Sequence, residues 1–181
     1  MEDKISLKSL VQKETGISTM DCYQCGKCSA GCPMSTEMEY PPSVIMRMLQ
    51  TGDSDLAEKI ISSNAIWFCL TCEMCYGRCP MEIDIPKIMD FLRGEAIKQH
   101  KVPSGSKNIL SFHKAFLNSI KMNGKLHEIG LIIDYKMRSF KLMQDVALAP
   151  KMFLKGKLAI FPKKNKGMKN IKSIFAKTLN K

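Results

Sequence analysis

The sequence predicts an all-α fold. Apolar residues recur at helical spacing along most of the chain, proline and glycine punctuate those stretches at their ends, and alternating apolar–polar runs never extend beyond a few residues.

The elements follow in order. Ser6 caps a first helix in "SLKSLVQKETG" and Gly16 stops it. Pro41 and Pro42 open "SVIMRMLQTG", which stacks Val44, Ile45, Met48 and Leu49 on one side and stops at Gly52. Asp53 or Ser54 caps "DLAEKIISS", turning Leu56, Ile60 and Ile61 inward. Pro86 opens "PKIMDFLRGEAIKQH", where Ile85, Ile88, Met89, Leu92 and Ala96 form a helical stripe. Pro103, Ser104 and Gly105 break the chain, which divides it into domains 1–102 and 103–181. In the second part, Ile109, Phe112, Phe116 and Ile120 line one face of a helix ended by Gly124. "DYKMRSFKLMQDVALA" reads as a further helix before Pro150, and "GKLAIFPKKNKG" as an extended loop. "IKSIFAKTL" reads as a terminal helix presenting Ile171, Ile174 and Phe175.

Of 181 residues, 45% are hydrophobic and 25% charged, which excludes a disordered chain. No apolar run approaches the roughly 20 residues of a membrane span. "MEDKISLKSL" lacks the basic-then-apolar order of a secretory signal, so the expectation is a cytoplasmic protein. The net charge of +11 is unevenly spread. Residues 1–90 hold 8 basic and 13 acidic residues, whereas residues 91–181 hold 20 and 4. An acidic half is thus followed by a basic one, an asymmetry that implies different partners.

All eight cysteines lie in the acidic half, in "CYQCGKCSAGCPM" from Cys22 and "CLTCEMCYGRCPM" from Cys69. Both read C-x2-C-x2-C-x3-C-P-M. Disulfide frameworks belong to small secreted chains, and nothing here indicates secretion. Zinc usually takes C-x2-C pairs separated by a spacer, not a third Cys at the next interval. The doubled spacing instead fits two [4Fe–4S] clusters, in which each run sends its fourth Cys to the other cluster. One cluster then takes Cys22, Cys25, Cys28 and Cys79, and the second takes Cys69, Cys72, Cys75 and Cys32. Gly26, Gly31 and Gly77 let backbone N–H groups approach cluster sulfurs, or simply serve the turns; Pro33 and Pro80 turn the chain away.

Other residues carry less. His100, His113 and His127 are scattered and none lies at ligand spacing from a carboxylate or Cys, so they read as surface or packing residues, and no catalytic residue is assigned. Trp67 and Phe68 read as a shield for the second cluster. Met34, Met74 and Met81, beside the cysteines, read as soft packing. Lys27 stands in the first motif where the second has Met74, and its charge would raise the potential of the first cluster. The basic half reads as a solvated surface, a nucleic-acid patch or a docking arm. Leu158, Ile160, Phe161, Ile171, Ile174 and Phe175 among its lysines favour docking on a protein and count against nucleic acid.

The step of 37 residues from Cys32 to Cys69, filled by two helical segments, resembles the α-helical ferredoxin domain. Residues 20–100, with "CPMEIDIPKIMDFLRGEAI", resemble the iron–sulfur C subunits of methanogen heterodisulfide reductases, and "FLKGKLAIFPKKNKG" extends the likeness. The resemblance implies an α-helical dicluster ferredoxin with a basic helical extension. It also implies an oxidoreductase role: electrons pass from the A-type subunit, which contains flavin and iron–sulfur clusters, to the catalytic B-type subunit, which reduces CoM-S-S-CoB in methanogenesis. It further implies an associated hydrogenase or formate dehydrogenase reached through the flavin-containing partner. The chain has no adjacent Cys pair, so heterodisulfide chemistry is not expected on it. Two alternatives stay open: a freestanding dicluster carrier, and the iron–sulfur subunit of another flavin-linked dehydrogenase.

Overall fold

The structure, a computed structural model, describes residues 6–140 and 165–179, and these contain helices and no strands. The chain divides into two compact units, Met1–Ser106 and Lys107–Lys181. Ser106 belongs to the first unit because it is buried there and its hydroxyl donates to Asn64 Oδ1 at 2.8 Å.

The first unit holds helices α1 (Leu7–Thr15), α2 (Lys27–Ala30), α3 (Pro42–Thr51), α4 (Ser54–Ile61), α5 (Ala65–Phe68), α6 (Met74–Gly77) and α7 (Ile85–Lys98). Local chemistry sets their ends. Ser6 accepts from the Ser9 N–H to open α1, and Gly16, at φ 75°, closes it. Asp53 rather than Ser54 caps α4, accepting from the backbones of Asp55 and Leu56 at 2.9 Å. Asp84 caps α7 through the Lys87 N–H, with Pro86 in the first turn.

Helix α7 is the hub of this unit and packs on α1, α4, α5 and α6. Ile85, Ile88, Met89, Leu92 and Ala96 are all buried, as their spacing predicts. On α3 the stripe is rotated from the expected one: Met46 is fully buried and Val44 is exposed. Packing of α3 against α1, α2 and α4 turns the Met46 side into the core.

The second unit holds α8 (Lys107–Asn123), α9 (Glu128–Ser139) and α10 (Met168–Leu179). The contact face of α8 centres on Ala115 and Ser119 instead of the larger apolar residues. Small side chains let α9 approach, and Phe112 remains 43% exposed at the edge, with its ring 6.0 Å from Tyr135. His127 caps α9, accepting from the Gly130 N–H at 3.1 Å. Helix α9 begins before "DYKMRSFKLMQDVALA" does; the latter part of that segment, and "GKLAIFPKK", lie outside the described residues. Helix α10 packs against the end of α8, where a Cβ on Gly124 would meet Met168 Sδ at 2.8 Å.

Candidate iron–sulfur centres

The cysteines stand in two loops that share one backbone plan. The residues flanking the second Cys of each motif, Gln24 and Gly26 in one copy and Thr71 and Glu73 in the other, all have φ between 50° and 76°. Left-handed residues on both sides of a Cys curl the chain around a concave face. Glycine takes this conformation freely at Gly26, whereas Thr71 and Glu73 hold it at a strain of about 1–2 kcal/mol each. Helices α2 and α6 then carry the third Cys of each copy, Cys28 and Cys75, both only 8% exposed.

Helices α2 and α6 pack on each other, which brings the motifs together. Gly31 and Arg78 occupy equivalent positions in the two copies. A Cβ on Gly31 would lie 2.7 Å from Arg78 Cδ, so the glycine makes room for the arginine side chain. Ser29 ties the first motif to α3, accepting from the Ser43 N–H at 2.9 Å.

Two cavities result. One is lined by Cys22, Cys25, Cys28 and Cys79. The other is lined by Cys32, Cys69, Cys72 and Cys75. Each wall therefore combines three cysteines of one motif with the fourth of the other. The remaining walls are largely apolar: Pro80, Met81 and Ile83 in the first, and Pro33, Met34 and Met89 in the second. Ile85 lines both cavities. Met74 lines the second cavity, but Trp67 and Phe68 line neither; Trp67 is a buried part of the unit's core.

The donor chemistry suits a thiolate-bound cluster. None of the eight cysteines forms a disulfide. Burial pushes the Cys75 thiol up to about 11, with the neighbouring Cys69 adding to the effect. Burial also raises Cys28 and Cys69, the latter against the opposing pull of the Thr71 backbone and Arg93. Binding a metal group to such thiols must release their protons. Among the described residues no three His, Cys, Asp or Glu side chains stand together as ligands of a single ion. Four thiolates around a cubane each meet a different iron and stand further apart.

Sequence reasoning missed two residues that hold these loops. Gln50, from α3, donates to the carbonyls of Thr19 at 3.0 Å and Cys22 at 2.9 Å. Arg93, from α7, donates to the carbonyls of Ile66 at 2.6 Å and Cys69. Both clamps grip the first Cys of a motif and the residue three positions before it. No spacing rule points to either residue, because each reaches its target from a later helix. The only available signal is that both follow an opening proline by about two turns.

The 4Fe-4S dicluster domain family matches residues 18–83. The chain is 29% identical over 123 residues to the iron–sulfur C subunit of the CoB–CoM heterodisulfide reductase of Methanopyrus kandleri, covering 68% of this chain and 62% of that protein. It is 30% identical over 108 residues to the iron–sulfur C 2 subunit of the same enzyme from Methanocaldococcus jannaschii, covering 60% and 56%. It is 33% identical over 119 residues to the C subunit of the H2:CoB-CoM heterodisulfide,ferredoxin reductase of Methanothermobacter thermautotrophicus, covering 61% and 63%. The chain thus spans 56–63% of the length of these relatives. The described residues are helical without strands, residues 18–83 match the 4Fe-4S dicluster domain, and the chain is similar to the iron–sulfur C subunits of heterodisulfide reductases.

Proposed function

We propose that this chain is the electron-transfer subunit of a heterodisulfide reductase complex in methanogenesis. Cys22, Cys25, Cys28 and Cys79 hold one [4Fe–4S] cluster, and Cys69, Cys72, Cys75 and Cys32 hold the other. The observation that carries the reading is the pair of cavities, each lined by four cysteines in a three-plus-one arrangement. Bound clusters supply reversible one-electron transfer. The protein supplies thiolates, apolar walls that limit water, and the shared Ile85 wall between the sites. The flavin-containing A-type subunit and the B-type subunit with its heterodisulfide site are the partners in this reading, and the cytoplasm is its location. Among the described residues no helix is long and apolar enough to cross a membrane.

The test is elemental analysis of anaerobically prepared protein, together with identification of the chains that co-purify with it. The expected result is about eight iron and about eight acid-labile sulfide per chain, with A- and B-type subunits bound. Two zinc atoms without sulfide would remove the cluster reading. Full clusters in a chain that purifies alone would favour a freestanding carrier.

The basic half, 103–181, serves docking in this reading. Leu117, Ile132, Ile133, Met137 and Phe140 are each exposed on α8, α9 and the α9 end, and such apolar side chains suit a protein partner better than nucleic acid. Ile174 is 60% exposed on α10, whereas Pro150 and Phe161 lie outside the described residues. Deleting 150–181 should leave iron content unchanged and weaken partner pull-down, and rim charges should make the remaining association salt-sensitive. Lost iron with undiminished pull-down would assign the tail to the cluster fold instead.

A further inference from the structure

The two carbonyl clamps are alike in geometry and unlike in charge. Gln50 grips the first motif with neutral amide donors, and Arg93 grips the second with a guanidinium. The Arg93 side chain is only 13% exposed. Its charge therefore acts on its surroundings with little solvent screening. Asp90 pairs with it at 3.0 Å, but that carboxylate is 61% exposed and offsets the guanidinium from the solvent side. Lys27 lines the first cavity and Arg47 stands with Cys22 beside the first motif, but both are exposed and their charges are screened by water. Arg78 is exposed and lies where the motifs meet, beside Gly31 of one copy and Cys79 of its own.

A cluster bound by four thiolates gains negative charge on reduction, so a fixed cation nearby favours the reduced form and raises the potential. We propose that the unequal clamps make the two centres unequal: Arg93 holds the Cys69–Cys72–Cys75–Cys32 centre at a higher potential than the Cys22–Cys25–Cys28–Cys79 centre. An electron entering the chain then rests at the centre that Arg93 grips. This order is opposite to the one Lys27 alone implies, because a buried charge outweighs a solvated one. Arg93 acts here as a positioning residue through the Cys69 backbone and as a source of fixed charge. The inference rests on the cluster assignment above.

The experiment is an anaerobic potentiometric titration of the full cluster-loaded chain, followed by EPR, with iron and sulfide measured on each sample. Cys25→Ser and Cys72→Ser assign each signal to its centre. The higher midpoint should be the one altered by Cys72→Ser. Arg93→Gln, which copies the neutral clamp of the first motif, should lower that midpoint and leave the other in place. Arg93→Lys should retain the wild-type value, since it keeps the charge. Gln50→Arg should raise the midpoint of the Cys22 centre. Intact clusters with both midpoints unmoved in Arg93→Gln, or both moved equally, would overturn the proposal. If Arg93→Gln loses its clusters, Gln50→Arg decides: no rise at the Cys22 centre overturns the proposal equally. Wild-type protein without iron and sulfide would sink the cluster reading itself, a separate outcome.

Discussion

Cys79→Ala should destroy the centre that begins 57 residues earlier in the chain and spare the one beside it. Cys79 lies in the second motif, yet it lines the cavity of Cys22, Cys25 and Cys28. Three thiolates in one curled loop cover one side of a cubane, and the fourth iron needs a ligand from outside that loop. The packing of α2 on α6 brings the fourth Cys of each motif to the cavity of the other's three. Iron in the variant should fall toward half, to about four per chain, or to about seven if a three-iron cluster survives at the damaged site. EPR gives the sharper readout. The Cys79→Ala spectrum should match that of Cys25→Ala and differ from that of Cys72→Ala. A match to Cys72→Ala would mean that each motif completes its own cluster.

Leu92→Ala should weaken the first unit by about 2–5 kcal/mol. Leu92 is fully buried on α7, the helix that packs on four others, so the cavity it leaves cannot collapse from one side alone. That loss is a large fraction of a typical domain stability of about 5–15 kcal/mol. It also loosens the helix that carries Arg93 and presents Ile85 and Met89 to the cavities. Anaerobic urea unfolding should show a lower midpoint with little change in slope, together with faster loss of iron. The same change at Leu117, which is 48% exposed on α8, should shift the unfolding midpoint little. Equal effects at the two sites would show that the burial described for α7 does not govern stability.

Several features were legible in the residues alone because they are local. Ser6, Gly16 and Asp53 mark helix ends through bonds within a turn of themselves, and Pro86 through its fixed φ in the first turn. The α7 stripe was legible because one helix period governs all five residues. The motif spacing sets each fourth Cys apart from its own three, and the two cavities group the cysteines in that three-plus-one way. Tertiary structure decided the rest. Which side of α3 faces inward, Met46 rather than Val44, depends on the helices around it and not on its own periodicity. Ala115 and Ser119 became the contact face of α8 because close helix approach favours small side chains, whereas an apolar pattern points to large ones. Gly31 makes room for Arg78, a constraint imposed by the other copy of the motif. Gln50 and Arg93 reach carbonyls 28 and 24 residues back in the chain. A backbone carbonyl is present at every residue, so no residue type marks the target, and only the placement of α3 and α7 selects it.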